Sequence, residues 1–483
     1  MKKQVLNPYL PLYEYIPDGE PRIFNNRLYV YGSHDYSLGE KGFCPGDYMG
    51  YSAPLNDLRD WTSHGVIYAK AWDPNLNEED SMAAPDVVEG LDGRYYLYFN
   101  SNAKLACHVA VSDSPEGPFS FYGFVQNPDG TPYEEYKCFD PGVLVDNGHV
   151  YIYFGFCMPG PVPERFKGMK SPFPKWSFGF ELEADMKTIK KGPFNIIPGG
   201  NVTAGTGFEG HGFYEASSPR KIKDTYVMVF SSEKSHDLAY ALSKEPFGPY
   251  TYKGVLVSNC NIGYQGNEKP EMPFGNTHGG IVQTGEDWYV FYHRQTDGQE
   301  ASRQACAEKL ELDQDGWFLQ AQTTSCGLNG GPLLAEGSYN ATYCCYMVAP
   351  EIKQERYTVR DCRRDSEPHI HQEDIDGEET HALHYIANIQ SEITLGYRYF
   401  QFDKPTSLVL RLKGDGPIQV QIFLDKELKK KIGEVSAVLE KEWENIEVPL
   451  LKTSETHELY INIVVDNQTC FESFTFKKER NKG

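Results

Sequence analysis

The chain has 483 residues and a formal net charge of −22. That length accommodates two domains or more. An acidic surface argues against nucleic-acid backbones and anionic membranes as partners, and no segment reaches the apolar length of a membrane span.

The 33 Tyr, 27 Phe, 45 Gly and 31 Pro form a strand-and-turn composition, rich in rings for apolar or sugar-stacking surfaces. The start, Met1 to Pro8, carries no hydrophobic run, so no secretory signal is read there. Eleven cysteines, with a vicinal Cys344-Cys345 pair and no Cys-x-x-Cys, suit neither a disulfide framework nor a zinc ribbon. A cytoplasmic protein with reduced thiols is expected.

One phrase recurs along the first two thirds of the chain: a polar residue, a short strand, a turn, then a tyrosine-rich strand. It runs from Asp18 to Tyr29, Asp86 to Tyr96, Asp140 to Tyr151, Glu215 to Tyr226 and His278 to Tyr289. The spacing is eleven positions in four copies and ten in the Asp86 copy. Turns such as Asn25-Asn26, Asp92-Gly93 and Asn147-Gly148 suit the positive φ of tight hairpins. Copies at intervals of roughly 55 to 75 residues mark a repeat architecture. Small antiparallel sheets repeated radially make a β-propeller. An all-β fold is therefore expected: a five-bladed β-propeller over residues 1–335, with the polar residues heading the innermost strands and the five tyrosines on inner strands, one per blade.

Blade one holds Asp18 and Gly32-Ser33-His34-Asp35-Tyr36, and blade two opens at Met82-Ala83-Ala84-Pro85-Asp86. Blade three holds Asp140. A proline-rich insertion, Pro159 to Pro174, reads as a rim loop. Blade four carries Glu215, a second long loop spans Asn259 to Gly275, and blade five contains His278, His293-Arg294 and Arg303 and closes near Trp317. After a break at Gly331 to Ser338 the phrase stops. Arg363 to Glu379 reads as loop. Alternating runs at 393–402, 407–412, 418–424, 446–450 and 459–465 predict a β-sandwich over 336–483, which either braces the propeller or binds sugar.

Taken singly, Asp18 and Asp140 are good turn residues and Glu215 fits a local backbone acceptor. Taken together at matched repeat positions, the three face one axial pocket. Like charges desolvated together are costly and must shift in pKa. Two carboxylates flanking a sugar linkage are what glycoside hydrolysis needs.

These motifs resemble glycoside hydrolase family 43, the five-bladed arabinofuranosidases and β-xylosidases. Asn7-Pro8 with Asp18 resembles the family's opening and implies Asp18 as general base. Phe139-Asp140-Pro141 implies Asp140 as pKa modulator. Glu215-Ala216-Ser217-Ser218-Pro219 implies Glu215 as general acid. Thr277-His278-Gly279 implies a central histidine near a metal or water on the axis, with a structural calcium as the candidate ion, though no cofactor is required. Ser302-Arg303-Gln304 implies a sugar-binding Arg303. Asp86, His34 and His278 complete the expected substrate contacts. Where the family often has Trp-Ala-Pro, this chain has Ala83-Ala84-Pro85, so a stacking ring is either absent or comes from elsewhere. Gly396-Tyr397-Arg398-Tyr399-Phe400 and the Trp443 region resemble a family 6 carbohydrate-binding module. The resemblance implies an exo-acting, inverting enzyme on terminal α-L-arabinofuranosyl or β-D-xylosyl residues of plant oligosaccharides.

Three other readings stay open. Galactofuranosides are not separated from these substrates. A propeller phosphorylase needs a basic cluster for phosphate, for which Arg303 and Arg294 are the candidates. A non-catalytic sugar-binding protein has no need of paired carboxylates. The oligomeric state is not read from the sequence.

Overall fold

The structure, a computed structural model, describes residues 4–39, 41–158, 173–359, 361–375 and 379–478. Most of the proline-rich insertion, residues 159–172, lies outside the described residues.

Five antiparallel meanders form the propeller. Their innermost strands are Glu20–Phe24, Met82–Glu89, Gly142–Asp146, Phe213–Ile222 and Ile281–Thr284. The first four sheets have four strands each; the fifth has three. In place of a fourth strand, blade five ends in the isolated bridges Leu312–Phe318 and Val257–Ala321, the second made to blade four. Innermost strands touch from blade one through blade four, and blade one also touches blade five, closing the ring. Asn7 clasps that closure: its side-chain amide donates to Ala307 O at 3.1 Å and accepts from Ala307 N–H at 3.1 Å. The buried amide is thereby satisfied by blade five.

The five repeat tyrosines fall in five different sheets, but on the second strand of each blade rather than the innermost. The reason is the hairpin. Asn25-Asn26 and Asn147-Gly148 both take positive φ and turn the chain back before the tyrosine is reached. Eleven residues thus span the innermost strand and its turn, and the polar residue sits at the axis, one strand further in.

The C-terminal unit is one ten-stranded sheet, curled into a sandwich-like body. It begins with Leu333–Leu334, which pairs in parallel with Phe400–Gln401. The runs expected at 407–412 and 418–424 are one continuous strand, Ser407–Phe423. The segment read as loop contains the strand His369–Glu373, which pairs with Leu383–Ile389. Its alternation was hidden by polar residues: His371 faces Asp297 of the propeller and Gln372 accepts from Tyr15 Oη at 3.1 Å. The Gly396–Phe400 run packs rather than presents a surface. Tyr397 and Arg398 are buried, and Arg398 Nη2 donates to Glu271 of the 259–275 loop at 2.7 Å.

Candidate active site

The axial end of the propeller encloses a cavity of about 530 Å³ whose wall includes Asp18, Asp140, Glu215, His278 and Arg303. Five residues spread over four blades and 285 positions of sequence converge there: Asp18, Asp140, Glu215 and His278 each stand at the head of an innermost strand, and Arg303 opens the third strand of blade five. Asp18, Ala84, Asp140 and Ala216 are all left-handed, with φ of 59°, 47°, 49° and 70°. These residues mark equivalent positions in blades one to four, an uncommon conformation for non-glycine residues and a sign of functional strain. Measured from this mark, Asp18 and Asp140 stand on it, and Glu215 stands one residue before it.

That frame corrects two expected contacts. Asp86 stands two residues past the mark in blade two and does not line the cavity. It is fully buried, accepts from Arg22 Nε at 2.8 Å and from Val143 N–H at 2.8 Å, and ties blades one, two and three together. Its equivalent in blade one, Glu20, makes a similar pair with Arg220 of blade four at 2.8 Å. Blade two instead offers Ala83 to the cavity. His34 is likewise off the cavity; its Nδ1 lies against Asp47 O at 2.9 Å. Its neighbours Ser33 and Asp35 point inward, since successive side chains of an extended chain face opposite ways.

Asp18 is held from several sides. Ser33 Oγ donates to Oδ2 at 2.6 Å and Arg303 Nη1 donates to Oδ1 at 2.9 Å. Burial pushes this carboxyl up, but the charges of Arg303 and His278, with the Ser33 bond, outweigh it and bring the pKa to about 2. His293 is different. Burial and the neighbouring Arg303 bring it down to about 3. As a neutral ring its Nδ1 accepts the Asp18 N–H at 3.3 Å while Nε2 donates to Asn276 O at 3.0 Å.

Arg303 lines the cavity and is held there by two carboxylates. Nε and Nη2 grip Asp35 at 2.7 and 3.0 Å, Nη1 grips Asp18, and Nη2 also meets Cys44 Sγ at 3.3 Å. Phe43 lies over the guanidinium, 4.8 Å from ring centroid to Cζ. The arginine therefore orients Asp18, and Asp35 orients the arginine.

Glu215 has the opposite environment. Burial is the first cause, Asp140 beside it the second, and together they raise its pKa to about 8 against the pull of Arg356 and His278. Desolvation leads, and the charge of Asp140, the expected modulator, comes second. Asp140 is itself raised by burial and relieved by His278, whose Nδ1 lies 3.4 Å from Oδ2. Oδ2 also accepts the Ala216 N–H at 3.1 Å, beside Glu215. His278, despite its burial, is raised to about 9 by Asp140 and Asp18 and is a cation at neutral pH. Among the described residues no cluster of three or more His, Cys, Asp or Glu is arranged to hold a metal ion. The residues around His278 thus do not fit an axial calcium, which takes several oxygen ligands.

Blade two has no tryptophan at the wall, and the rings there come from elsewhere in the chain. Phe43, Phe139, Phe156, Phe173 and Tyr214 all line the cavity. Two further wall residues were not legible in the sequence: Glu300, in the blade-five loop before Arg303, and Arg356, from the C-terminal unit. Arg294 is buried outside this cavity, donating to Gln304 Oε1 at 2.9 Å and Cys344 O at 3.2 Å.

A propeller whose axial cavity holds carboxylates of opposed protonation is the architecture of a glycoside hydrolase. The family model for glycosyl hydrolases family 43 matches residues 50–318. A xylosidase/arabinosidase of Thermoclostridium stercorarium is 39% identical over 486 residues, 98% of this chain and 99% of its own. A second protein of that name, from Bacteroides ovatus, is 30% identical over 64% of this chain and 95% of its own. Among solved structures, a family 43 β-xylosidase/α-arabinofuranosidase from a compost metagenome superposes with a TM-score of 0.52 at 26% identity, over 64% of this chain and 96% of that one. The chain belongs to glycosyl hydrolase family 43.

Proposed function

We propose that the protein is an exo-acting, inverting glycosidase that removes terminal α-L-arabinofuranosyl or β-D-xylosyl residues, with Asp18 as base, Glu215 as acid and Asp140 as modulator of the acid. The observation that carries this reading is the pair of opposed pKa values in one cavity: about 2 for Asp18 and about 8 for Glu215. Environments that push two carboxyls apart assign the acid and the base.

At neutral pH Glu215 carries its proton and has no protein donor to its oxygens among the described residues, so the proton is available to a glycosidic oxygen. Asp18 is ionised and fixed by Ser33 and Arg303. A base with so low a pKa is weak towards bulk water. It takes the proton only as the water–carbon bond forms and the attacking water becomes acidic. Asp140, bonded to the Ala216 N–H, supplies the negative charge that helps keep Glu215 protonated. In this scheme the glycosidic C–O bond breaks, Glu215 protonates the departing oxygen, water supplies the new hydroxyl and Asp18 receives its proton.

Exo action is supported by the wall. Every blade and the C-terminal unit contribute to it, which suits a chain end better than a chain passing through. Pentoside specificity is supported by the names of the relatives: xylosidase/arabinosidase for those of T. stercorarium, B. ovatus and Humicola insolens, and β-xylosidase for that of Xylanibacter ruminicola. The phosphorylase reading loses its two arginines, since Arg303 is spent on Asp18 and Asp35 and Arg294 lies outside the cavity. The eleven cysteines are free thiols, which supports a reducing, cytoplasmic setting.

A panel of nitrophenyl α-L-arabinofuranoside, β-D-xyloside and β-D-galactofuranoside tests the substrate class. NMR of the first-formed anomer tests inversion. Turnover of the first two with an inverted product is expected. Retention of configuration, or turnover only with added phosphate, overturns the mechanism.

A further inference from the structure

A short strap from the C-terminal unit, residues 355–359, crosses the rim of the cavity and brings Arg356 and Val359 into its wall. The strap is anchored on both sides. Tyr357 N–H donates to Phe274 O at 2.8 Å, and the buried Tyr357 ring lies under the Arg363 guanidinium at 4.8 Å. Arg363 in turn donates to Glu355 O and Arg356 O, each at 3.2 Å, and its N–H reaches Gly298 O at 2.8 Å. Arg356 is therefore held in place before any ligand arrives.

Its side chain is 34% exposed, whereas its partner Glu300 is 2% exposed and Asp18 and His278 beneath are 6% and 4%. The exposure gradient orders the cavity: Asp18, Arg303 and His278 form the deep end, and Arg356 stands at the mouth. Glu215 lies between, directly after Tyr214, whose ring faces the Arg356 guanidinium at 5.9 Å. The acid has to reach the oxygen that joins two sugars. The sugar whose bond breaks occupies the deep end, so the departing sugar lies on the outer side, against Arg356. Glu300 Oε1 takes Nε and one Nη2 hydrogen. A guanidinium carries five N–H groups, so donors remain for a ligand, and Val359, 48% exposed, offers an apolar surface beside them.

We propose that Arg356 and Val359, carried on the strap of the C-terminal unit, form the subsite for the leaving sugar, with Arg356 donating hydrogen bonds to its hydroxyls. The C-terminal unit then contributes to substrate selection and does more than brace the propeller. The inference rests on the glycosidase reading above.

The test compares Arg356→Ala with wild type on xylobiose, or the arabinofuranosyl disaccharide if the panel favours that sugar, and on the matching nitrophenyl glycoside. The aryl group occupies the same subsite but lacks sugar hydroxyls. Losing charged hydrogen bonds to those hydroxyls should cost about 10- to 100-fold in kcat/KM. That loss should appear mainly in KM for the disaccharide and exceed the loss on the aryl glycoside by about 10-fold or more. Arg356→Lys, which keeps the charge and the strap, should give the same split at smaller size and serves if the alanine variant does not fold. Equal losses on the two substrates, or no loss on the disaccharide, overturn the subsite. A wild-type enzyme inactive on both substrates sinks the glycosidase reading instead.

Discussion

His278 Nδ1 lies 3.4 Å from Asp140 Oδ2, joining blade five to blade three across the propeller axis. The contact makes His278 a cation, and that cation opposes the burial that raises the Asp140 carboxyl beside Glu215. Without it, two desolvated carboxyls face each other and both become protonated more readily. The proposed division of labour between acid and base thus depends on a residue that transfers no proton itself.

Glu215→Gln and Asp18→Asn should each lower kcat on oligosaccharides by about 10²- to 10⁴-fold, the usual span for general acid or base groups. Nitrophenolate leaves with little protonation, so Glu215→Gln should retain more activity on aryl glycosides than on oligosaccharides. Asp18→Asn should lose both alike, since the water still needs a base. Steady-state kinetics of both variants on both substrates decide the assignment; full activity of Asp18→Asn ends the mechanism.

The basic limb of the pH profile should sit near the Glu215 value of about 8, with activity falling as pH rises through it. Asp140→Asn removes the like charge and should move that limb to lower pH, in whatever activity remains. Arg356→Ala removes an opposing cation and should move it higher. An unmoved limb in both variants would mean that another group sets it.

A carboxyl raised from its usual value near 4.5 to about 8 also affects stability. Between those values the folded protein holds a proton that the unfolded chain has released, so stability falls as pH rises. Glu215→Gln abolishes that loss. Its Tm should exceed that of wild type by about 2 °C or more at pH 8, with the difference shrinking towards pH 4. A constant difference across this range would contradict the raised pKa.

Asp86 should matter for stability and not for substrate binding. Asp86→Ala leaves the largely buried Arg22 without its carboxylate, and breaking a buried pair costs about 3–5 kcal/mol. A lowered Tm with near-normal KM in the folded fraction is expected. In the same way Asp35→Ala should lose at least about tenfold in kcat through the freed Arg303, while His34→Ala stays close to wild type.

Chelation with EDTA should leave both Tm and rate unchanged, because the described His, Cys, Asp and Glu side chains around His278 form no cluster arranged to hold a metal ion. A rate lost on chelation and restored by calcium would place a cation among these residues.

Periodicity in the sequence was enough to determine the propeller. The tyrosine phrase and its Asn-rich turns reflect local rules: strand alternation and positive φ at two-residue hairpins. Each operates within a dozen residues, and five repetitions determine the number of blades. The three carboxylates were legible because they recur at one place in that local frame. Asp86 was misplaced because a count of residues does not reveal where a strand's left-handed entry falls, and His34 because it alternates with Ser33 and Asp35, which face Asp18 and Arg303 instead. Only the tertiary structure decided which cation meets which carboxylate. Arg303 pairs with Asp18 across 285 positions, and Arg356 reaches the cavity from a different folding unit. The pKa of Glu215 follows from such contacts and from burial, and burial is a property of the assembled ring that no single blade possesses.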